Sequence, residues 1–347
     1  MNYFFRAALK VKRLIRKFGK LEVREFLKRY EMFLSKGHSQ QIDQSLLRNA
    51  TFATSGKALD RANAAAEKYL SKYVYKDPAL GSTILNLTEN DCTEANKSLE
   101  TFGFWIAPNK VSAKHLDNFQ RNAEKEIRAL CKADDVTPIE LGHKNSSQKD
   151  REMISLSRDF VLSQELPYLL ATSTDVLNIV GKYFGTNPIL NLPDSWFSFP
   201  VENLASGSAQ NWHIDCDRVK WLKVFVYITD VDLSNGPHSF IATTHKKWRL
   251  KTNNSRFMND DVQQKFESSE IQVFTGARGT VIFEDTRGLH KGTPLVSGHR
   301  LILQLEFATD SFGYIHPIFN VPEEFSGYLI SHSSLFPRDR FELRAQA

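Results

Sequence analysis

Cysteine is scarce in this 347-residue chain. Its 3 cysteines, Cys92, Cys131 and Cys216, are odd in number and lack paired spacing. That argues against a disulfide framework and for a reducing, cytoplasmic compartment. Long uncharged apolar runs are missing as well, since no window reaches the ~18 residues that a membrane span needs. Arg6, Lys10 and Lys12 interrupt the N-terminal apolar stretch, so no secretory signal is expected. There are only 4 methionines against 25 phenylalanines, which points to an aromatic core and a broad sheet. No internal repeat or low-complexity run is visible. At 41% hydrophobic and 24% charged, the composition suits a globular chain able to bury a large core.

The basic excess is local. Residues 1–50 hold 12 Lys+Arg and 4 Asp+Glu, whereas the remainder holds 33 and 36. A nucleic-acid binder basic throughout would not be distributed in this way, so no nucleic-acid partner is expected. The first twenty residues carry 7 basic side chains and no acid. On a helix, Tyr3, Phe4, Ala7, Ala8, Val11, Leu14, Ile15 and Phe18 form an apolar stripe opposite the cations, with Phe5 and Leu9 as misfits. Two readings stay open for it: a helix lying on an anionic membrane surface, or one docked on the main body with a solvated basic face.

Helical periodicity continues over 21–35 and 57–75, so residues 1–97 are expected as a helical N-terminal extension. Thr101–Ala107 is expected as a short aromatic strand, 111–132 as a helix, and Asp175–Phe184 as a helix closed by Gly185. Strands are expected near 186–192, 195–201, 208–216, 219–231, 238–242, 271–274, 279–284 and 300–309, with 251–270 a loop plus short helix. The fold class is therefore α+β. A double-stranded β-helix, a jelly-roll or cupin-like barrel, spans 98–310 with flanking helices, and 311–347 is a tail packed on it.

Chemistry concentrates in Gln210-Asn211-Trp212-His213-Ile214-Asp215-Cys216-Asp217. In extended chain, residues two apart share a face, so His213 and Asp215 project together if Ile214 and Cys216 turn away. An imidazole and a carboxylate at that spacing can hold adjacent positions of one metal. His290, in Thr286-Arg287-Gly288-Leu289-His290, is the leading third ligand; His245 and His299 are its rivals. Two histidines and a carboxylate leave open coordination positions, the usual ligand set of non-haem Fe(II) oxygenases. Arg300, at the start of an apolar strand, can hold a cosubstrate carboxylate and stay charged when buried.

HIDCD, the strand from Trp221 towards Asn235-Gly236-Pro237-His238-Ser239, and His290 followed ten residues on by Arg300 together resemble the phytanoyl-CoA dioxygenase-like family. The resemblance covers roughly residues 98–310. It implies an Fe(II)/2-oxoglutarate-dependent dioxygenase that consumes O2, releases succinate and CO2, and hydroxylates a small-molecule or lipid-like substrate. It also implies His213, Asp215 and His290 as iron ligands and Arg300 on the distal carboxylate of 2-oxoglutarate. Thr293, Lys223, Phe225 and Tyr227 are expected to line the cosubstrate pocket. Halogenating relatives lack the carboxylate, so Asp215 favours hydroxylation.

The neighbouring residues take plainer readings. Glu284 and Asp285 are expected as loop-capping or solvated acids, Asp217 as half of an ion pair, Trp196 and Phe199 as core. His238 is expected as a structural residue and Cys216 as a buried hydrophobe. Two rival functions remain: a metal-binding jelly roll acting as a membrane-surface module, and a zinc or nickel isomerase of cupin type.

Overall fold

Side chains alternate across a strand, and here the alternation separates two kinds of surface. On β4 (Trp221–Tyr227) and β9 (Arg300–Ala308), Leu222, Val224, Val226, Leu301, Leu303, Leu305 and Phe307 face one way into an apolar core. Lys223, Phe225, Arg300, Ile302, Gln304 and Glu306 face the other way, into a cavity. The computed structural model describes residues 20–37, 39–70, 82–131, 152–202, 209–247, 255–313 and 318–343.

β4 and β9 are central to a six-stranded sheet. Its order is β1 (Phe104–Ile106), β7 (Val281–Glu284), β4, β9, β3 (Ile189–Ser198) and β2 (Met153–Ser155), all pairings antiparallel. A smaller antiparallel sheet runs β6 (Ile271–Phe274), β5 (His238–Ile241), β8 (His290–Gly292). The Tyr227 hydroxyl donates to the Phe274 carbonyl at 2.7 Å and ties one sheet to the other. A parallel pair, β10 (Phe319–Val321) and β11 (Phe341–Leu343), adds Phe319, Val321 and Phe341 to the main core.

Helices cover the apolar face of the large sheet. They are α4 (Glu89–Phe102), α5 (Ala113–Cys131) and the segments Glu165–Thr172 and Thr174–Phe184, the last closed by Gly185 at φ 73° as expected. Nearer the N-terminus, α1 (residues 20–36), α2 (Gln41–Thr54) and α3 (Lys57–Leu70) form a second apolar cluster. There Phe26, Tyr30, Phe33, Leu47 and Leu59 meet Trp221, Ala308 and Phe312. Tyr30 donates to Asp310 at 2.7 Å, so this helical layer is fastened to the end of β9. No described helix is long and apolar enough to cross a membrane. The basic stripe expected over 1–20 lies outside the described residues, Lys20 excepted.

Several expectations are corrected. The two strands expected at 186–192 and 195–201 are one, β3, with a register shift between Leu190 and Leu192. Pro193 is tolerated because β2 pairs only with Trp196–Ser198, leaving that stretch of edge without a ladder to break. Among the described residues 209–216, no strand forms where one was expected at 208–216. The backbone bonds of that stretch go to separate segments: His213 to His290, Ile214 to Ser255, Asp215 to Thr286. The α4 helix, with Thr88 and Asp91 forming a capping box, crosses the boundary expected at 97/98.

Candidate metal centre

His213 reaches the cavity through a backbone pairing rather than a strand. Its N–H donates to the His290 carbonyl and the His290 N–H donates back, both at 2.9 Å. This narrow antiparallel pair brings the ring centroids to 4.1 Å. Asp215, held by its N–H on the Thr286 carbonyl, turns its carboxylate between the rings. Its oxygens lie 3.9 Å from His213 Nε2 and 3.5 Å from His290 Nε2. One ligand atom from each of His213, Asp215 and His290 falls within 4.8 Å of the others.

The tautomers suit a metal. His213 Nδ1 meets the Asn211 carbonyl at 2.8 Å and His290 Nδ1 meets the Gly288 carbonyl at 2.9 Å. A carbonyl only accepts, so each Nδ1 carries the proton and each Nε2 keeps its lone pair towards the cavity. Burial lowers both imidazole pKa values and keeps the rings neutral. Burial would raise the Asp215 pKa, but the Lys223 ammonium beside it outweighs burial and holds the carboxylate ionised. The donor set is the one the sequence indicated, and it fits a divalent metal with open positions.

Arg300 lies at the far end of the cavity, 3% exposed. Its Nη2 donates to Ser198 Oγ at 3.3 Å, while Nε and Nη1 are buried without a hydrogen-bond partner. Burial pulls its pKa down to about 10, still charged at neutral pH. A buried, incompletely paired guanidinium is a poor structural element and a good carboxylate receptor. Gly292 makes room for it: a Cβ there would lie 2.7 Å from Arg300 Nη2.

The remaining expected pocket residues are placed differently. Lys223 lines the cavity, yet its ammonium is occupied, 2.7 Å from Asp215, 3.0 Å from Asp217 and 3.6 Å from Glu306. Phe225 lines the cavity beside it. Tyr227 is fully buried among Phe240, Phe274 and Ile302, with its hydroxyl on a backbone carbonyl. Thr293 bonds Ser239 through their hydroxyls at 2.9 Å, and neither Tyr227 nor Thr293 is among the cavity's lining residues. Asp217 forms the expected ion pair, with Lys223. Phe199 is core, but Trp196 faces the cavity.

Glu284 is neither capping nor solvated. It is wholly buried on β7, with its oxygens 2.8 and 3.1 Å from His238 Nε2. Burial pushes its carboxyl up to about 8, and burial pulls His238 down to about 3, so a neutral pair lies behind His290. Asp285 does cap a turn, accepting from the Arg287 N–H, but it is buried too, ion-paired with Arg287 and accepting from Tyr183 at 2.6 Å. Glu284 ends an apolar strand running inward and Asp285 follows it directly, which is the signal that points to burial. Of the rival ligands, His245 contacts the Glu100 carbonyl at 3.3 Å at the end of α4, and the His299 ring lies 5.9 Å from Phe197 on the helix-covered side.

The family model for phytanoyl-CoA dioxygenase matches residues 99–301, more than half of the chain. No curated protein matches in sequence. Among solved structures, iron-bound EctD from S. alaskensis is 15% identical, with 67% of this chain and 83% of that one covered and a TM-score of 0.46. The non-haem alpha-ketoglutarate-dependent carbocyclase SnoK from nogalamycin biosynthesis is 14% identical over 65% and 87%, with a TM-score of 0.45. AviO1 from Streptomyces viridochromogenes is 14% identical over 64% and 96%, with a TM-score of 0.43.

Proposed function

Because the chain belongs to the phytanoyl-CoA dioxygenase family and is a 2-oxoglutarate-dependent non-haem iron oxygenase, we propose that it hydroxylates a small-molecule substrate, with His213, Asp215 and His290 as the iron ligands and a double-stranded β-helix as the scaffold. The observation that carries this reading is the convergence of two Nε2 atoms and one carboxylate within 4.8 Å, with both Nδ1 atoms on backbone carbonyls. Iron(II) held there with 2-oxoglutarate supplies O2-dependent oxidation, in which cosubstrate and O2 are consumed, succinate and CO2 are released, and substrate gains a hydroxyl.

The chain's own contribution is placement. Arg300 binds the distal carboxylate of 2-oxoglutarate; Ser198 aims its guanidinium, and Gly292 leaves the gap it occupies. Lys223 keeps Asp215 ionised and fixed in direction. The His238–Glu284 pair backs the His290 ring, with centroids of the two histidines 5.6 Å apart. Phe225 and Ile302 supply apolar lining to the same cavity.

Asp215→Ala is expected to lose iron(II) or cobalt(II) binding and, with it, succinate release from 2-oxoglutarate. Wild-type protein that holds iron but never releases succinate, with any substrate or none, would leave a metal-binding module and end the oxygenase reading.

A further inference from the structure

The cavity has two ends along β9. Arg300 and Ser198 face each other at one of them. Continuing along the inner face, Ile302 is opposite Trp196, Gln304 opposite Asp194, and Glu306 opposite Leu192. Towards the other end, where Lys223 links Glu306 to Asp215, the sheet wall turns polar, with Gln304, Asp194 and Glu306 joined by Lys223 and Arg218. The cavity encloses about 310 Å³, to be shared by cosubstrate and the reacting part of the substrate.

Most polar groups on this wall are satisfied within the protein. Lys223 meets three carboxylates, and Arg218 meets Glu306 and the Asp217 carbonyl. Gln304 is the exception. It is 7% exposed, points into the cavity, and its carboxamide has no hydrogen bond to any described residue. Asp194 stands directly across from it, with one ion pair to Arg158 at 3.4 Å. A buried carboxamide with no partner is destabilising unless a ligand or water completes it. A hydrocarbon chain laid along this wall would strip its water and return no hydrogen bond.

We propose that Gln304 and Asp194 recognise the substrate, and that this substrate is a small polar molecule presenting hydroxyl or amino hydrogen-bond donors rather than an acyl chain. The proposal rests on the oxygenase reading of the same site. The carboxamide accepts from one donor of the substrate and donates to a neighbouring oxygen, while the carboxylate accepts from a second. Together they turn one C–H of the substrate towards the open side of the metal centre.

Iron-loaded protein is assayed for succinate with 2-oxoglutarate and two panels: polyols, amino acids and small amines in one, medium- and long-chain fatty acids and their CoA thioesters in the other. Polar compounds are expected to accelerate succinate release and to recover a hydroxyl. Gln304→Met, nearly isosteric, is expected to raise the KM of the best of them about tenfold, with kcat moved less. Calorimetry on cobalt-loaded protein, which does not turn over, is expected to show the same tenfold loss of binding, and the visible cobalt spectrum reports that the metal site is intact. Basal succinate release that only the acyl panel accelerates, or that no polar compound accelerates, overturns the substrate class and leaves the oxygenase reading standing. An unchanged KM in Gln304→Met overturns the role of Gln304. Absence of succinate under every condition overturns both.

Discussion

A guanidinium in a protein interior needs a reason to be there. Arg300 has space because residue 292 has no side chain, and direction because Ser198 accepts from it. Gly292→Ala would place a methyl 2.7 Å from Arg300 Nη2 and force the guanidinium aside. Both Arg300→Ala and Gly292→Ala are therefore expected to weaken 2-oxoglutarate binding tenfold or more in calorimetry while cobalt(II) affinity stays within about twofold. Equal cosubstrate affinity in Arg300→Ala would mean that the carboxylate binds elsewhere. The Glu284 carboxyl, by contrast, is uncharged at neutral pH. Burial holds its pKa at about 8, against 4.5 for the group in water. Below pH 4.5 the folded and unfolded chains both keep the proton and the group is neutral to stability. Between there and pH 8 only the unfolded chain releases it, so stability falls across that window as pH rises and then levels off. Glu284→Gln cannot ionise in either state. Metal-free Glu284→Gln is expected to melt several degrees above wild type at alkaline pH, with the gap closing near the pKa of the unfolded group. A gap that does not change with pH would show that Glu284 is ionised in the fold.

At the scale of elements, apolar periodicity was enough to locate most helices and strands. Val23, Phe26, Tyr30 and Phe33 mark the buried side of α1, and Leu301, Leu303, Leu305 and Phe307 mark the core side of β9. What periodicity could not convey was pairing. The segment around His213 has the look of a strand, yet its hydrogen bonds are shared among three partners. Pro193 looks like a strand break, yet it sits beside an edge that β2 does not reach. The N-terminal layer carries its own energetic weight: Phe26 is wholly buried and packs edge-on against Phe312, with centroids 5.9 Å apart. Phe26→Ala is expected to cost about 3–5 kcal/mol in urea unfolding. A loss below about 1 kcal/mol would mean that α1 is held by other contacts.

For the molecule as a whole, charge and apolar surface are divided by region. The basic excess lies in the first fifty residues, and the remainder carries 33 basic against 36 acidic side chains. If the first twenty residues form a lipid-binding helix, deleting them is expected to abolish binding to vesicles containing anionic phosphatidylserine, with native binding falling as salt rises. Equal binding by both proteins would assign that stripe to packing. The large sheet shows the same division through its thickness, with leucines and valines towards the helices and charged side chains towards the cavity.

The amino-acid sequence alone supplied the candidate ligand types and their order in a strand-rich chain. Histidine and aspartate two apart, a later histidine and an arginine ten beyond it are local facts, and so is alternation of apolar residues. Only the tertiary structure decided that Lys223 serves Asp215, that Glu284 is buried against His238, and that Gln304 has no hydrogen-bond partner among the described residues. Burial of a polar group is a property of what packs around it, and those neighbours come from strands dozens of residues apart.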